Sequence, residues 1–102
     1  MYNLIRVKAK IVYSGGRNRK DIPLKSGYRP LFDFIGAISK ISGRMDFIDR
    51  EAFAAGEKGI VEISFIKGMI DDQYFNSKQQ FSFYEGTDEL GTGEILEIVN
   101  AN

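Results

Sequence analysis

Neither cysteine nor histidine occurs in the 102-residue chain. Without cysteine there is no disulfide, no thiolate nucleophile, no thiolate metal ligand and no thiol redox chemistry, so stability has to come from core packing and the sheet ladder. Without histidine the commonest general base near neutral pH is missing, and so is the commonest nitrogen ligand for zinc, copper or iron. Most hydrolase constellations fail on that ground, and no enzymatic activity, cofactor or metal is expected. The acidic residues come as doublets, Asp71-Asp72 and Asp88-Glu89. Neighbours on an extended strand point to opposite faces, so such doublets read as solvated loop carboxylates, not as a ligand set. Long apolar runs are absent too: nothing approaches the ~20 residues that span a bilayer. The amino-terminal MYNLIRVKAK carries cations where a signal peptide would be apolar. A cytoplasmic protein with no membrane partner is expected.

What is present is an ordinary globular mixture, 43% hydrophobic and 27% charged, at the size of one domain. Ile5, Val7, Ala9, Ile11 and Tyr13 alternate with Arg6, Lys8 and Lys10, the period of a strand with one buried face. Ser14-Gly15-Gly16 ends it as a turn, and a polar, basic loop covers residues 17–26. A second strand is expected within residues 28–38, with Phe32 and Phe34 on one face and Pro30 near its start. A short strand is expected around residues 44–48, and a loop or helical turn over residues 49–55. Val61, Ile63 and Phe65 alternate with Glu62 and Ser64 over residues 60–66, another half-buried strand. Phe81 and Phe83 mark a further strand, Glu85-Gly86 opens a turn expected to close at Gly91-Thr92-Gly93, and residues 95–99 form the last strand. Several short strands between glycine-bearing turns, with no sustained 3.6-residue period, point to an all-β barrel or sandwich. Closure is favoured because there are no helices to cover open sheet edges.

Gly15-Gly16-Arg17, Gly27-Tyr28-Arg29-Pro30 with Phe32, Phe81-Ser82-Phe83-Tyr84-Glu85-Gly86 and Gly91-Thr92-Gly93 follow one another in this order. Over nearly its whole length the chain resembles the carboxy-terminal β-barrel, the third domain, of bacterial elongation factor Tu. That family carries a GGR loop, a GYRP-x-F strand, a PGD-like turn, matched loosely by Ala55-Gly56-Glu57, and a terminal F-x-I-x-EG…G-x-G pair. The resemblance implies a small closed six-stranded Greek-key barrel. In the full factor this domain helps to hold the acceptor and T arms of aminoacyl-tRNA, contacts the nucleotide-exchange partner and packs on the GTP-binding domain. No G-x-x-x-x-G-K-[ST] sequence occurs here, so GTP is not expected as a ligand.

Charge is unevenly placed. Residues 1–50 hold eleven Lys and Arg against four Asp and Glu, and residues 51–102 hold three against ten, so a surplus of seven in one half cancels the other. Arg17, Arg19, Lys20, Lys25 and Arg29 lie in one segment opposed only by Asp21, which suggests tRNA or another RNA, since sequence-independent affinity is mostly lysine and arginine meeting phosphate. By resemblance Arg17 matches the arginine of the GGR loop, which approaches the tRNA backbone. Asn18-Arg19 replaces the His-Thr that commonly follows, and Thr87-Asp88-Glu89 stands where the family commonly has an arginine; those carboxylates would repel a phosphate. The alternative reading of the segment is a solvated loop. A protein partner is the better-supported expectation, with the barrel acting as an interaction module or a decoy for something that binds elongation factor Tu. Tyrosine is enriched at binding hot spots, which singles out Tyr28, Tyr84 and the adjacent pair Tyr74 and Phe75; Tyr28 and Tyr84 also suit packing at the barrel rim. The pair lies in the polar stretch 71–80, where two aromatics invite a contact explanation.

Overall fold

The computed structural model describes residues 3–101. Among the described residues eight strands form: β1 Leu4–Tyr13, β2 Leu24–Lys25, β3 Leu31–Phe34, β4 Ile41–Phe47, β5 Ala52–Phe53, β6 Lys58–Ile66, β7 Gln80–Glu85 and β8 Asp88–Ala101. Six of them close an antiparallel barrel in the order β1-β6-β4-β3-β7-β8 and back to β1. β3, β4 and β6 follow one another around the wall and β1 returns beside β6, which is a Greek-key path. β2 and β5 pair as a separate two-stranded ribbon.

Alternation dictates the wall. Ile5, Val7, Ala9, Ile11 and Tyr13 of β1 are buried, and so are Val61, Ile63 and Phe65 of β6. The opposite wall is aromatic, with Phe32, Phe34, Phe81 and Phe83. Phe32 meets Phe65 edge-on at 5.0 Å and Phe34 meets Phe81 at 5.9 Å, in the T-shaped geometry that the ring quadrupole favours. A six-stranded bore holds so many rings only because glycines face them. Gly43 pairs with Phe65, Gly93 with Phe81 and Gly91 with Phe83. A Cβ on Gly91 would come within 2.2 Å of the Val12 carbonyl oxygen and 2.5 Å of the Phe83 ring.

Gly91-Thr92-Gly93 is therefore not the close of a turn. The turn ends at Thr87, and these residues lie inside β8 under the phenylalanine rings. The expected loops over residues 17–26 and 49–55 each contain one strand of the ribbon, which plugs one barrel end with the buried side chains of Leu24 and Phe53. The 3-10 turn Asp72–Tyr74 leads Phe75 into the opposite end. Phe75 is 9% exposed and packs against Phe34 and Phe65 at 5.5 and 5.4 Å. Of the aromatic pair singled out for a contact, Phe75 is thus a core residue. Tyr74 is half-buried and donates its hydroxyl to the Gly36 carbonyl at 3.0 Å.

Candidate binding surfaces

The Gly15-Gly16-Arg17 loop leaves β1 at the end of the barrel where β7 turns into β8. Gly15 and Gly16 have φ of 83° and 57°, backbone that a side chain resists. A Cβ on Gly16 would in addition sit 2.6 Å from the Asp88 carboxylate. That contact is the purpose of the turn. The Arg17 N–H donates to both Asp88 oxygens at 2.9 and 3.1 Å, and the Asn18 N–H donates to one of them at 3.3 Å. Successive backbone N–H groups make an anion-binding concavity, and here the anion is the protein's own carboxylate, only 13% exposed.

Arg19 is held by a carboxylate too, through its side chain. Its Nη1 donates to Glu85 Oε1 at 2.8 Å, and its guanidinium lies 5.1 Å from the centre of the Tyr28 ring. The Tyr28 hydroxyl donates to the same Glu85 oxygen at 2.5 Å. Burial first, and then the Glu85 hydrogen bond and charge, push the Tyr28 phenol up to about 12. The hydrogen bond from Tyr28 is the largest cause holding Glu85 below the usual carboxylate range, with Arg19 adding to it. Tyr13 secures the loop from beneath, donating its hydroxyl to the Ile22 carbonyl at 2.7 Å.

The five cations that are contiguous in sequence are thus not one surface. Arg19 is held by Glu85 and the exposed Arg17 side chain stands 3.9 Å from Asp88, whereas Lys20 and Lys25 are exposed with no carboxylate within ion-pair distance among the described residues. Arg29 belongs to the barrel wall. The Gly27 N–H donates to Met45 O, the Met45 N–H to Tyr28 O and the Gly43 N–H to Pro30 O, so residues 27–30 run beside β4 and Arg29 comes opposite Arg44. Charge asymmetry along the chain is likewise spent across strands: Lys8 meets Glu97 at 3.7 Å and Lys10 meets Glu94 at 3.5 Å. The basic half supplies β1 and the acidic half supplies the strand beside it.

An apolar groove of about 650 Å³ crosses the outer face of β6, β1, β8 and β7. Register builds it, because Ile60, Lys10, Glu94 and Gln80 form one cross-strand row and Lys58, Val12, Thr92 and Ser82 the next. Val12 and Ile35 are 45% and 64% exposed in it. Lys58 stands at its edge and has no carboxylate within ion-pair distance among the described residues. Alternation along β1 predicts that Val12 faces outward, but the groove needs four strands in register and has no signature in any one of them. No protein-family model matches this chain, and no curated protein does; its surfaces have to be read from their own chemistry.

Proposed function

We propose that this barrel is a non-enzymatic binding module for a protein partner, which seats an apolar segment in the groove across β6, β1, β8 and β7. The observation that carries the reading is the exposure of Val12 and Ile35 in one concave site, since contiguous apolar surface rimmed by polar residues is characteristic of interaction sites. Lys58 at the edge favours a partner segment with a carboxylate beside its apolar side chains. By the resemblance to the third domain of elongation factor Tu, the partner class is a protein that engages that domain, with this barrel competing for it. An RNA role through Arg17 and Arg19 has less support, because Arg19 is already bound to Glu85 and the exposed Arg17 stands beside the Asp88 carboxylate, which would repel a phosphate.

The test is affinity capture by the wild-type protein and by a Val12→Glu, Ile35→Glu variant, each with and without ribonuclease. A ribonuclease-resistant protein that the variant fails to recover, while its thermal unfolding stays cooperative, is the expected result. Equal recovery by the variant would remove the groove as the contact. Ribonuclease-sensitive recovery of RNA alone would replace the protein reading.

A further inference from the structure

Among the outward-facing positions of the wall, one row gathers positive charge. Arg6 of β1 pairs with Ser64 of β6, Ser64 pairs with Arg44 of β4, and the backbone bonds of residues 27–30 place Arg29 opposite Arg44. All three arginines are exposed, and they line one groove of about 360 Å³ with Ser42, Ser64 and a single carboxylate, Asp46. A neutral serine separates Arg6 from Arg44 by two strand spacings, about 10 Å, and Arg29 is one spacing, about 5 Å, from Arg44. The Arg44 guanidinium lies on the Arg29 side of the row, where a Cβ on Gly27 would come within 3.6 Å of its Nη2.

Like charges directly opposite one another on neighbouring strands destabilise a sheet, and nothing offsets this row fully. Asp46 accepts from Arg44 Nε at 3.0 Å and leaves the two terminal guanidinium nitrogens open. Among the described residues neither Arg6 nor Arg29 has a carboxylate within ion-pair distance. Charge left open in a concavity, beside two hydroxyls, is what an external oxyanion would complete, and the planar fork of arginine matches phosphate.

The row is also isolated. On one side lies Lys8–Glu62–Asp46, where carboxylates dominate, and on the other the pairs Leu4–Ile66 and Ser42–Leu31, which are uncharged. A polymer backbone needs a continuing positive track, whereas a single cationic row between an acidic and an uncharged one suits one compact anion. We infer that Arg6, Arg44 and Arg29, with the Ser42 and Ser64 hydroxyls, form a binding site for one phosphate group, free or at the end of a small molecule. The site stands apart from the apolar groove and does not depend on it.

The experiment is a titration of the full chain with inorganic phosphate at constant ionic strength, following the arginine Nε–Hε resonances by NMR. Saturable shifts confined to Arg6, Arg29 and Arg44 are expected, and each arginine-to-glutamine change should weaken the affinity about tenfold or more, as loss of a charge-assisted bond does. Shifts spread evenly over the exposed arginines, no shift at these three, or unchanged affinity in an Arg6→Gln, Arg29→Gln variant that unfolds like the wild type would overturn the site. Two further arms distinguish the source. A nucleoside monophosphate that binds these arginines more tightly than phosphate supports the site and makes a small phosphate ester its ligand. A single-stranded RNA that binds them with a salt dependence of several released counterions would overturn the single-anion site in favour of a track.

Discussion

Five of the six arginines fall into two sets, and the sets differ in how their charge is met. Arg17 and Arg19, at the end where β7 turns into β8, face Asp88 and Glu85. Arg6, Arg29 and Arg44 lie in one row on the wall, Arg29 opposite Arg44 and Arg6 beyond Ser64, and among the described residues only Arg44 reaches a carboxylate, Asp46. In the first set a carboxylate takes the Arg17 backbone N–H and another the Arg19 guanidinium, so the residues hold a loop in place, although the Arg17 guanidinium stays exposed beside Asp88. In the second the contact is left incomplete, so the residues cost stability and have something to offer a ligand. The comparison teaches that proximity of cations in sequence is a poor guide to a binding face. Arg17 and Arg29 are twelve residues apart and serve different surfaces, whereas Arg6 and Arg44 lie on two strands that flank β6.

The largest effect should come from breaking the closed set. In Asp88→Ala the Arg17 and Asn18 N–H groups lose their acceptor in a loop already committed to left-handed backbone at Gly15 and Gly16. Charge-assisted bonds to a well-covered carboxylate put the cost at about 2 kcal/mol, measured by urea unfolding, with faster hydrogen exchange at the Arg17 and Asn18 amides. Stability within about 0.5 kcal/mol of the wild type, the range of an ordinary surface substitution, would mean that the loop holds itself and that Asp88 is incidental.

A smaller, pH-dependent effect belongs to Glu85 and Tyr28 in the same set. The folded value of Glu85 is depressed, so its contribution is full above its unfolded value of about 4.3 and is lost as pH falls through the folded one. Tyr28 is raised to about 12 from 10.0, so its contribution is full below pH 10 and is lost as pH rises toward 12. The Tyr28→Phe variant should therefore lose less stability than the wild type in both the acid and the alkaline windows. Glu85 is half exposed and solvent screens the pair, so the difference will be modest. Denaturant unfolding from pH 3 to 11 measures it, and identical pH profiles for the two proteins would show that the short Tyr28–Glu85 bond is not coupled to folding.

How much of this could be read beforehand follows from the range of each signal. Alternation is local, and it places β1, β6 and the Phe81–Phe83 strand with the correct inward faces. The position of Gly91 and Gly93 is decided by rings on β7, a different strand, so along the chain they look like any turn glycine. β2 and β5 are two residues each, too short for a period to show. Phe75 follows a tyrosine in a polar stretch, and only the 3-10 turn before it reveals that its side chain enters the barrel. The surplus of cations in the first half is visible from composition alone. Its meaning is not, because Lys8 and Lys10 find Glu97 and Glu94 only once β1 lies beside β8. The arginine row draws on three strands and the segment before β3, and no spacing rule connects positions 6, 29, 44 and 64.

The sharpest form of the comparison is a difference in sign. Replacing a member of the closed set removes an attraction, whereas replacing Arg29 removes a like-charge neighbour of Arg44. Arg29→Gln is therefore expected to stabilise the barrel by a few tenths of a kcal/mol, the usual scale of a cross-strand pair, while weakening phosphate at the row. Adding salt should shrink the gain, since exposed charges a few ångströms apart are screened at high ionic strength. A double-mutant cycle of Arg29→Gln and Arg44→Gln in low salt isolates the repulsion from other effects of either change. A positive, salt-sensitive coupling between the two would mean that the fold tolerates a repulsion at this row, as expected of residues kept for binding at some cost in stability. Zero coupling, or a loss of stability in Arg29→Gln, would show that solvent or neighbouring groups already neutralise the row, and the distinction between the two sets of arginines would fall with it.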